Sequence, residues 1–179
     1  MSECWTDRLV AMNACPDAVE WARAYPSLTA AWKVCERADW MLWLAGELCQ
    51  TLPQRKKLTL AALGCARTAL KYVPKGEKRP LVAIRTAERW ARGTHGVTQD
   101  DVVAAGAAAF AAAGAAAYAA WAAAYAVSAW DAAWAAARAA AWDAARDAAR
   151  DAAKTKALSR LSKIVRKHYP IPPRWGRRR

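Results

Sequence analysis

Apolar and polar positions are patterned differently in the two halves of this chain. Up to about Val97, bulky apolar residues come in short runs broken by proline and glycine, the pattern of successive short helices. Thr6 to Ala14 reads as a first helix ended by Cys15-Pro16, and Pro16 suits the first turn of a second, Asp17 to Tyr25, which Pro26 stops. A third runs from Ser27 or Thr29 to about Cys35. The fourth, Arg37 to Cys49, holds Trp40, Met41, Leu42, Trp43, Leu44 and Leu48, apolar nearly all round, which predicts a helix at the centre of the core. The fifth runs from Pro53 to about Val73 with Leu58, Ala62, Cys65, Ala69 and Tyr72 inward. After the Pro74 and Gly76 turn, Pro80 opens a sixth that ends at Gly93. Leu81, Ile84, Ala87 and Ala91 point inward there, with Arg85, Arg89 and Arg92 aligned on another face.

From Asp101 to about Lys156 the pattern thins. Ala fills most positions, and the bulky residues reduce to Val102, Val103, Phe110, Tyr118, Trp121, Tyr125, Val127, Trp130, Trp134 and Trp142. Thr98 with Asp101 forms a capping box at the start, and no proline follows until Pro170. One unbroken helix to Tyr169 would be roughly 100 Å long, too long for a domain of this size. Phe110, Tyr118, Trp121 and Tyr125 share one face, whereas Trp130 and Trp134 lie on the other side, so a break is expected between Val127 and Ala129, with Ser128 and Asp131 capping the new helix. The repeat Asp143-Ala-Ala-Arg146, Asp147-Ala-Ala-Arg150, Asp151-Ala-Ala-Lys154 reads as a solvated face with acids one turn before bases. Leu158, Leu161, Ile164 and Val165 then restore an apolar stripe that docks the last helix on the core.

The expected fold is therefore all-α: a compact domain of about eight helices with a long Ala-rich C-terminal helical hairpin or broken helix. Residues 1–169 form one domain, Trp-rich in 1–97 and Ala-rich in 98–169, and 170–179 form a mobile basic Pro/Arg tail. The uncharged run from Val102 to Trp130 is long enough for a membrane span, but its few strongly apolar residues and acidic flanks favour a helix outside the membrane. An ice-binding role fails for lack of a regular Thr repeat. Ala-rich helices can pair within one chain or between two, so a homodimer through that seam fits the pattern equally well.

A chain of 179 residues can bury roughly 70% of its unfolded surface as a single domain. Its start carries Glu3, Asp7 and Arg8 rather than a signal sequence, which predicts a cytoplasmic protein. Cys4, Cys15, Cys35, Cys49 and Cys65 include no CxxC pair and have only His95 and His168 to help, so they read as reduced, mostly buried thiols rather than a zinc site or a disulfide framework.

The net charge of +13 is concentrated in two blocks. Thr51 to Arg92 carries eleven bases against two acids, and Lys154 to Arg179 carries ten bases and no acid. The other two stretches are net acidic.

Several runs carry a family resemblance: Cys15-Pro16 with Trp21, Trp32 to Cys35, Arg37-Ala38-Asp39-Trp40-Met41-Leu42-Trp43-Leu44, Cys65-Ala66-Arg67-Thr68-Ala69-Leu70, Lys78-Arg79-Pro80 and Ile164-Val165-Arg166. Their order and spacing, with the Ala-rich segment before the last, resemble the Imm-5-like immunity proteins of bacteria and their phages. The resemblance covers most of the chain from Cys15 to His168. It implies an all-helical fold and an immunity role proposed from genomic setting, with no catalytic residues to carry over and no account of the basic tail.

No constellation for catalysis stands out, neither a phosphate-cradling Gly loop nor HExxH nor a Cys close to a His. The expectation is a protein without enzymatic activity, cofactor or metal. Asp39 and Arg67 lie in helices that otherwise read as buried, and a core ion pair between them is expected. Function is expected to be immunity-type binding of a protein partner, a toxin or defence factor, with Trp5 or Trp175 as aromatic anchors. The alternative is contact with nucleic acid. Arg67, Lys71, Arg85, Arg89 and Arg92 would form one basic surface, and Arg174, Arg177, Arg178 and Arg179 a flexible arm with Trp175 stacking on a base. An anionic membrane surface is a third target for that arm.

Overall fold

The computed structural model of the protein describes residues 4–73, 75–110 and 150–175. Among them are eight α-helices and no strand: α1 Asp7–Ala11, α2 Pro16–Arg23, α3 Leu28–Val34, α4 Ala38–Glu47, α5 Leu52–Arg67, α6 Arg79–Ala91, α7 Gln99–Phe110 and α8 Arg150–His168. The all-α expectation holds. The proposed break near Val127, the Asp-Ala-Ala-Arg repeat as a surface, and any dimer seam fall outside the described residues.

Local chemistry fixes most helix ends. α1 stops at Ala11, short of the expected Ala14, because Asn13 takes a left-handed backbone (φ 58°) that no helix can continue. Pro16 opens α2, and the Ser27 hydroxyl accepts the Ala30 N–H at the start of α3. α5 begins with a capping box that the sequence reading passed over: Thr51 Oγ1 accepts the Gln54 N–H, and Gln54 Oε1 accepts the Thr51 N–H. It ends at Arg67 rather than Val73. There the Thr68 hydroxyl donates back to the Cys65 carbonyl, and the chain tightens into a 3₁₀ turn, Leu70–Tyr72. α6 closes as expected: Gly93, at φ 75°, lets its own N–H reach the Trp90 carbonyl and the Thr94 N–H reach the Arg89 carbonyl. The Thr98–Asp101 box at α7 is formed in both directions.

Two apolar clusters share α5 as their wall. One face of α5, with Leu58, Ala61, Ala62 and Cys65, packs with Leu9, Trp32, Met41, Leu42 and Leu44 of α1, α3 and α4 and with Leu158, Leu161 and Val165 of α8. The other face, with Leu63 and Ala66, packs with Ile84, Ala87 and Trp90 of α6 and Val102 of α7. Among the described residues α5 packs into both clusters, while α4, expected at the centre, buries Met41, Leu42 and Leu44 in the first and leaves Trp40 and Trp43 half-buried. The apolar stripe of α8 docks as expected. Its approach to α5 is close: a Cβ added to Gly64 would lie 2.6 Å from Ile164 Cγ2 and 3.9 Å from His168 Nε2.

The C-terminal end of α8 is tied to α3. The Arg166 guanidinium donates to the carbonyls of Cys35 (2.6 Å) and Trp32 (3.4 Å) and to Ser162 Oγ (2.9 Å), and Trp32 Nε1 donates to the Tyr169 carbonyl at 2.8 Å. Arg166 therefore supplies to the last carbonyls of α3 the donors that helix ends lack.

Candidate polyanion interface

α5 and α6 pack together near the C-terminal end of α6, where Arg67 from the end of α5 meets Glu88 and Lys56 Nζ, from the start of α5, lies 5.6 Å over the Trp90 ring. Arg85, Arg89 and Arg92 are all exposed on successive turns of α6, the alignment expected from their spacing. Arg67 joins them but is occupied: its Nε and Nη2 grip Glu88 Oε1 and Oε2 at 2.7 and 2.6 Å. Lys71 is exposed just beyond.

The expected core pair between Asp39 and Arg67 is not formed. Asp39 is held by Arg37, two residues away, at 2.9 and 2.6 Å, and Arg37 also lies 4.2 Å over the Trp40 ring. Neither guanidinium is in the core, since the Arg67 side chain keeps 41% of its exposure and that of Arg37 keeps 37%. Each arginine instead takes the carboxylate that reaches it at the rim of the bundle, where no lone charge has to be desolvated.

Electrostatics around Glu88 follow from this geometry. The hydrogen bonds from Arg67, opposed by partial burial and reinforced by the charges of Arg67, Arg92 and Arg85, hold its carboxyl below the ordinary value of 4.5. Hydrogen bonds from the Thr98 backbone and hydroxyl do the same for Asp101, with a smaller effect of Arg89. A group whose folded pKa is depressed stabilises the fold above its unfolded pKa and loses that contribution as pH falls. Glu88→Gln is therefore expected to cost about 1 kcal/mol at pH 7, where the pair is bidentate but partly exposed. Urea titrations should show the difference from wild type shrinking below about pH 4.5. An equal cost at pH 7 and pH 3 would mean that the charge on Glu88 contributes nothing.

The tail differs from expectation. Arg174 is exposed, but Trp175 is half-buried against the first cluster, with the Arg8 guanidinium 5.4 Å from its ring centre. It is not a free stacking platform. Trp5 is likewise half-buried: it packs against the same cluster, and its Nε1 donates to the Tyr25 carbonyl at 3.0 Å. Arg177, Arg178 and Arg179 lie outside the described residues.

All five cysteines are free thiols, but Cys4 and Cys15 are exposed and Cys49 is half-buried, so "mostly buried" holds only for Cys35 and Cys65. Burial pushes these two up to about 11 and about 12, which keeps them protonated and unreactive. No group of three potential metal ligands occurs among the described residues. A cavity of about 50 Å³ between α1 and α4 is lined by Trp5, Trp21, Trp32, Trp40 and Trp43 with aliphatic neighbours and no charged side chain. An apolar cavity that takes up benzene is nearer roughly 150 Å³. No helix among the described residues is long and apolar enough to cross a membrane.

Sequence reasoning missed one further gathering of charge. Lys57 of α5, which reads as one base in a run of three, is carried by the α5–α8 packing to the end of α8, where its Nζ lies 4.5 Å from the centre of the Tyr169 ring. Only the register of two helices distant in sequence brings these residues together.

No family model, curated protein or solved structure matches this chain.

Proposed function

We propose that the protein acts by binding rather than by catalysis, and that the basic face of α6 contacts the phosphates of nucleic acid. The observation that carries this reading is the exposure of Arg85, Arg89 and Arg92 on successive turns while Arg67 is spent on Glu88. The net charge of +13 adds long-range attraction for a polyanion. Contacts of this kind favour affinity without choice of sequence.

The test is a titration of labelled duplex DNA at 50 and 200 mM salt with wild type and with Arg85→Ala/Arg89→Ala/Arg92→Ala. Three phosphate contacts correspond to a slope of about −2.7 in log affinity against log salt, or roughly 40-fold weaker binding over that range. The triple variant should bind more weakly and lose that part of the slope. Wild type that does not bind at 50 mM salt, or a variant with an unchanged slope, ends this reading.

A second reading is an immunity-type role, in which the same face meets an acidic protein such as a toxin or defence factor. Two things favour it: the resemblance to the Imm-5-like proteins, and Val82, 52% exposed on the same face of α6 beside Arg85 and Arg89. An apolar residue among arginines suits a protein partner better than a phosphate backbone. Val82→Ser separates the two readings, since it leaves the salt-dependent duplex titration unchanged and weakens a protein complex.

A further inference from the structure

A second cationic site lies away from α6, where the end of α8 meets α5. Lys57 and Gly64 are two turns apart on one face of α5. Because Gly64 has no side chain, α8 comes close enough for His168 Nε2 to lie 3.9 Å from the Gly64 Cβ position, and the next residue, Tyr169, receives Lys57 Nζ over its ring at 4.5 Å. Lys167 stands beside His168 on α8. Lys57 and Lys167 are exposed and His168 is half-buried, so the three open toward solvent at one seam.

No carboxylate forms an ion pair with any of the three among the described residues. The charged groups acting on His168 are Lys167 on its own helix and Lys57 from α5, and burial together with these two ammoniums lowers its imidazole below the usual value. On α4, which also packs on α8, Asp39 is held by Arg37 and Glu47 stands at the exposed end. On α5, Lys56 is drawn to Trp90, and on α8, Arg166 is drawn to the α3 carbonyls.

Attraction to the negative end of α8 acts on all three groups, and Lys57 is brought to it from another helix. An aromatic face offsets only part of the charge of an ammonium. Three like-charged or chargeable groups gathered at one seam attract an anion.

We infer that the α5–α8 seam is a binding site for a phosphate group, with Lys57 and Lys167 as fixed cationic contacts and His168 as one that gains its proton as the anion binds. The inference is independent of the α6 face. The phosphate can come from a free phosphate or from a nucleic-acid backbone, and the chemistry at the seam is shared.

The chain has two histidines, which makes the test direct. The imidazole of His168 is titrated by NMR in the full chain carrying the α6 triple substitution, with chloride alone, with inorganic phosphate, or with a short DNA duplex, all at matched ionic strength. His95, in the loop after α6, is the internal control. With a tenfold preference of the anion for the protonated ring, the midpoint of His168 rises by about one pH unit while that of His95 stays. Lys57→Met/Lys167→Met removes that response with the helical circular dichroism unchanged. A rise with inorganic phosphate assigns the site to a free phosphate, and a rise with duplex alone assigns it to the backbone. The inference is overturned if neither probe moves His168, if both histidines move equally, or if the double variant still responds.

Discussion

Gly64→Ala lowers the midpoint of thermal unfolding by about 6 °C, although alanine is the better helix former. Propensity alone would favour the change by about 1 kcal/mol. The added Cβ, however, falls 2.6 Å from Ile164 Cγ2, closer than non-bonded carbon atoms come. That methyl group sits directly on a β-branched Cβ, so it cannot swing away without turning the whole side chain. Either α5 and α8 separate or Ile164 leaves its rotamer, and overpacking this close costs about 3 kcal/mol, so about 2 kcal/mol is lost after the gain in propensity. For a domain of this size each kcal/mol moves the midpoint by about 3 °C. Ile164→Ala removes the clashing methyl, so the double variant Gly64→Ala/Ile164→Ala loses at least about 1 kcal/mol less than the two single losses added together. Simple additivity in calorimetry would show that the two helices do not meet at Gly64.

Arg166→Ala is expected to cost about 3 kcal/mol, far above the few tenths typical of an arginine on a helix surface. Its guanidinium bridges the carbonyls of Cys35 and Trp32 to Ser162, and truncation leaves the end of α3 without those donors beside a core cluster. Arg166→Lys recovers only part of the loss, because one ammonium on a flexible stem cannot match a planar fork that serves three acceptors. Urea unfolding followed by tryptophan fluorescence measures both variants. If alanine costs less than about 0.5 kcal/mol, Arg166 is a surface residue and does not close the fold.

How much of this was legible depends on the range of the interaction. Helix punctuation is local, so Pro16 and the Thr98–Asp101 box could be read directly, as could the Arg85, Arg89 and Arg92 alignment, while the start of α3 was narrowed to Ser27 or Thr29. α5 was legible on one face only. Leu58, Ala62 and Cys65 stood out as a stripe, but Ala61, Leu63 and Ala66 are buried too, and small residues carry too little polarity contrast to reveal a helix packed on both sides. Charge partners were least legible. Asp39 is taken by Arg37, two positions away, which is not a helical-face spacing, and Arg67 finds Glu88 only through the register of α5 on α6. Tryptophans misled in the same way: Trp5 and Trp175 sit near the ends of the chain, where exposure is the usual expectation, yet both pack on the first cluster.

The tie between α8 and α3 also sets an order on biosynthesis. Trp32 waits for the Tyr169 carbonyl, 137 positions later, and the Cys35 carbonyl waits 131 positions for Arg166. At about 5–20 residues per second, the end of α3 leaves the ribosome roughly 7–26 s before the part of α8 that closes it. Loop-closure entropy grows only slowly with length, so the delay costs little at equilibrium. Its burden is kinetic. A nascent chain halted after α7 carries most of the tryptophans of the first cluster with no α8 to cover them, which makes the emerging polypeptide a client for chaperones that hold exposed apolar surface.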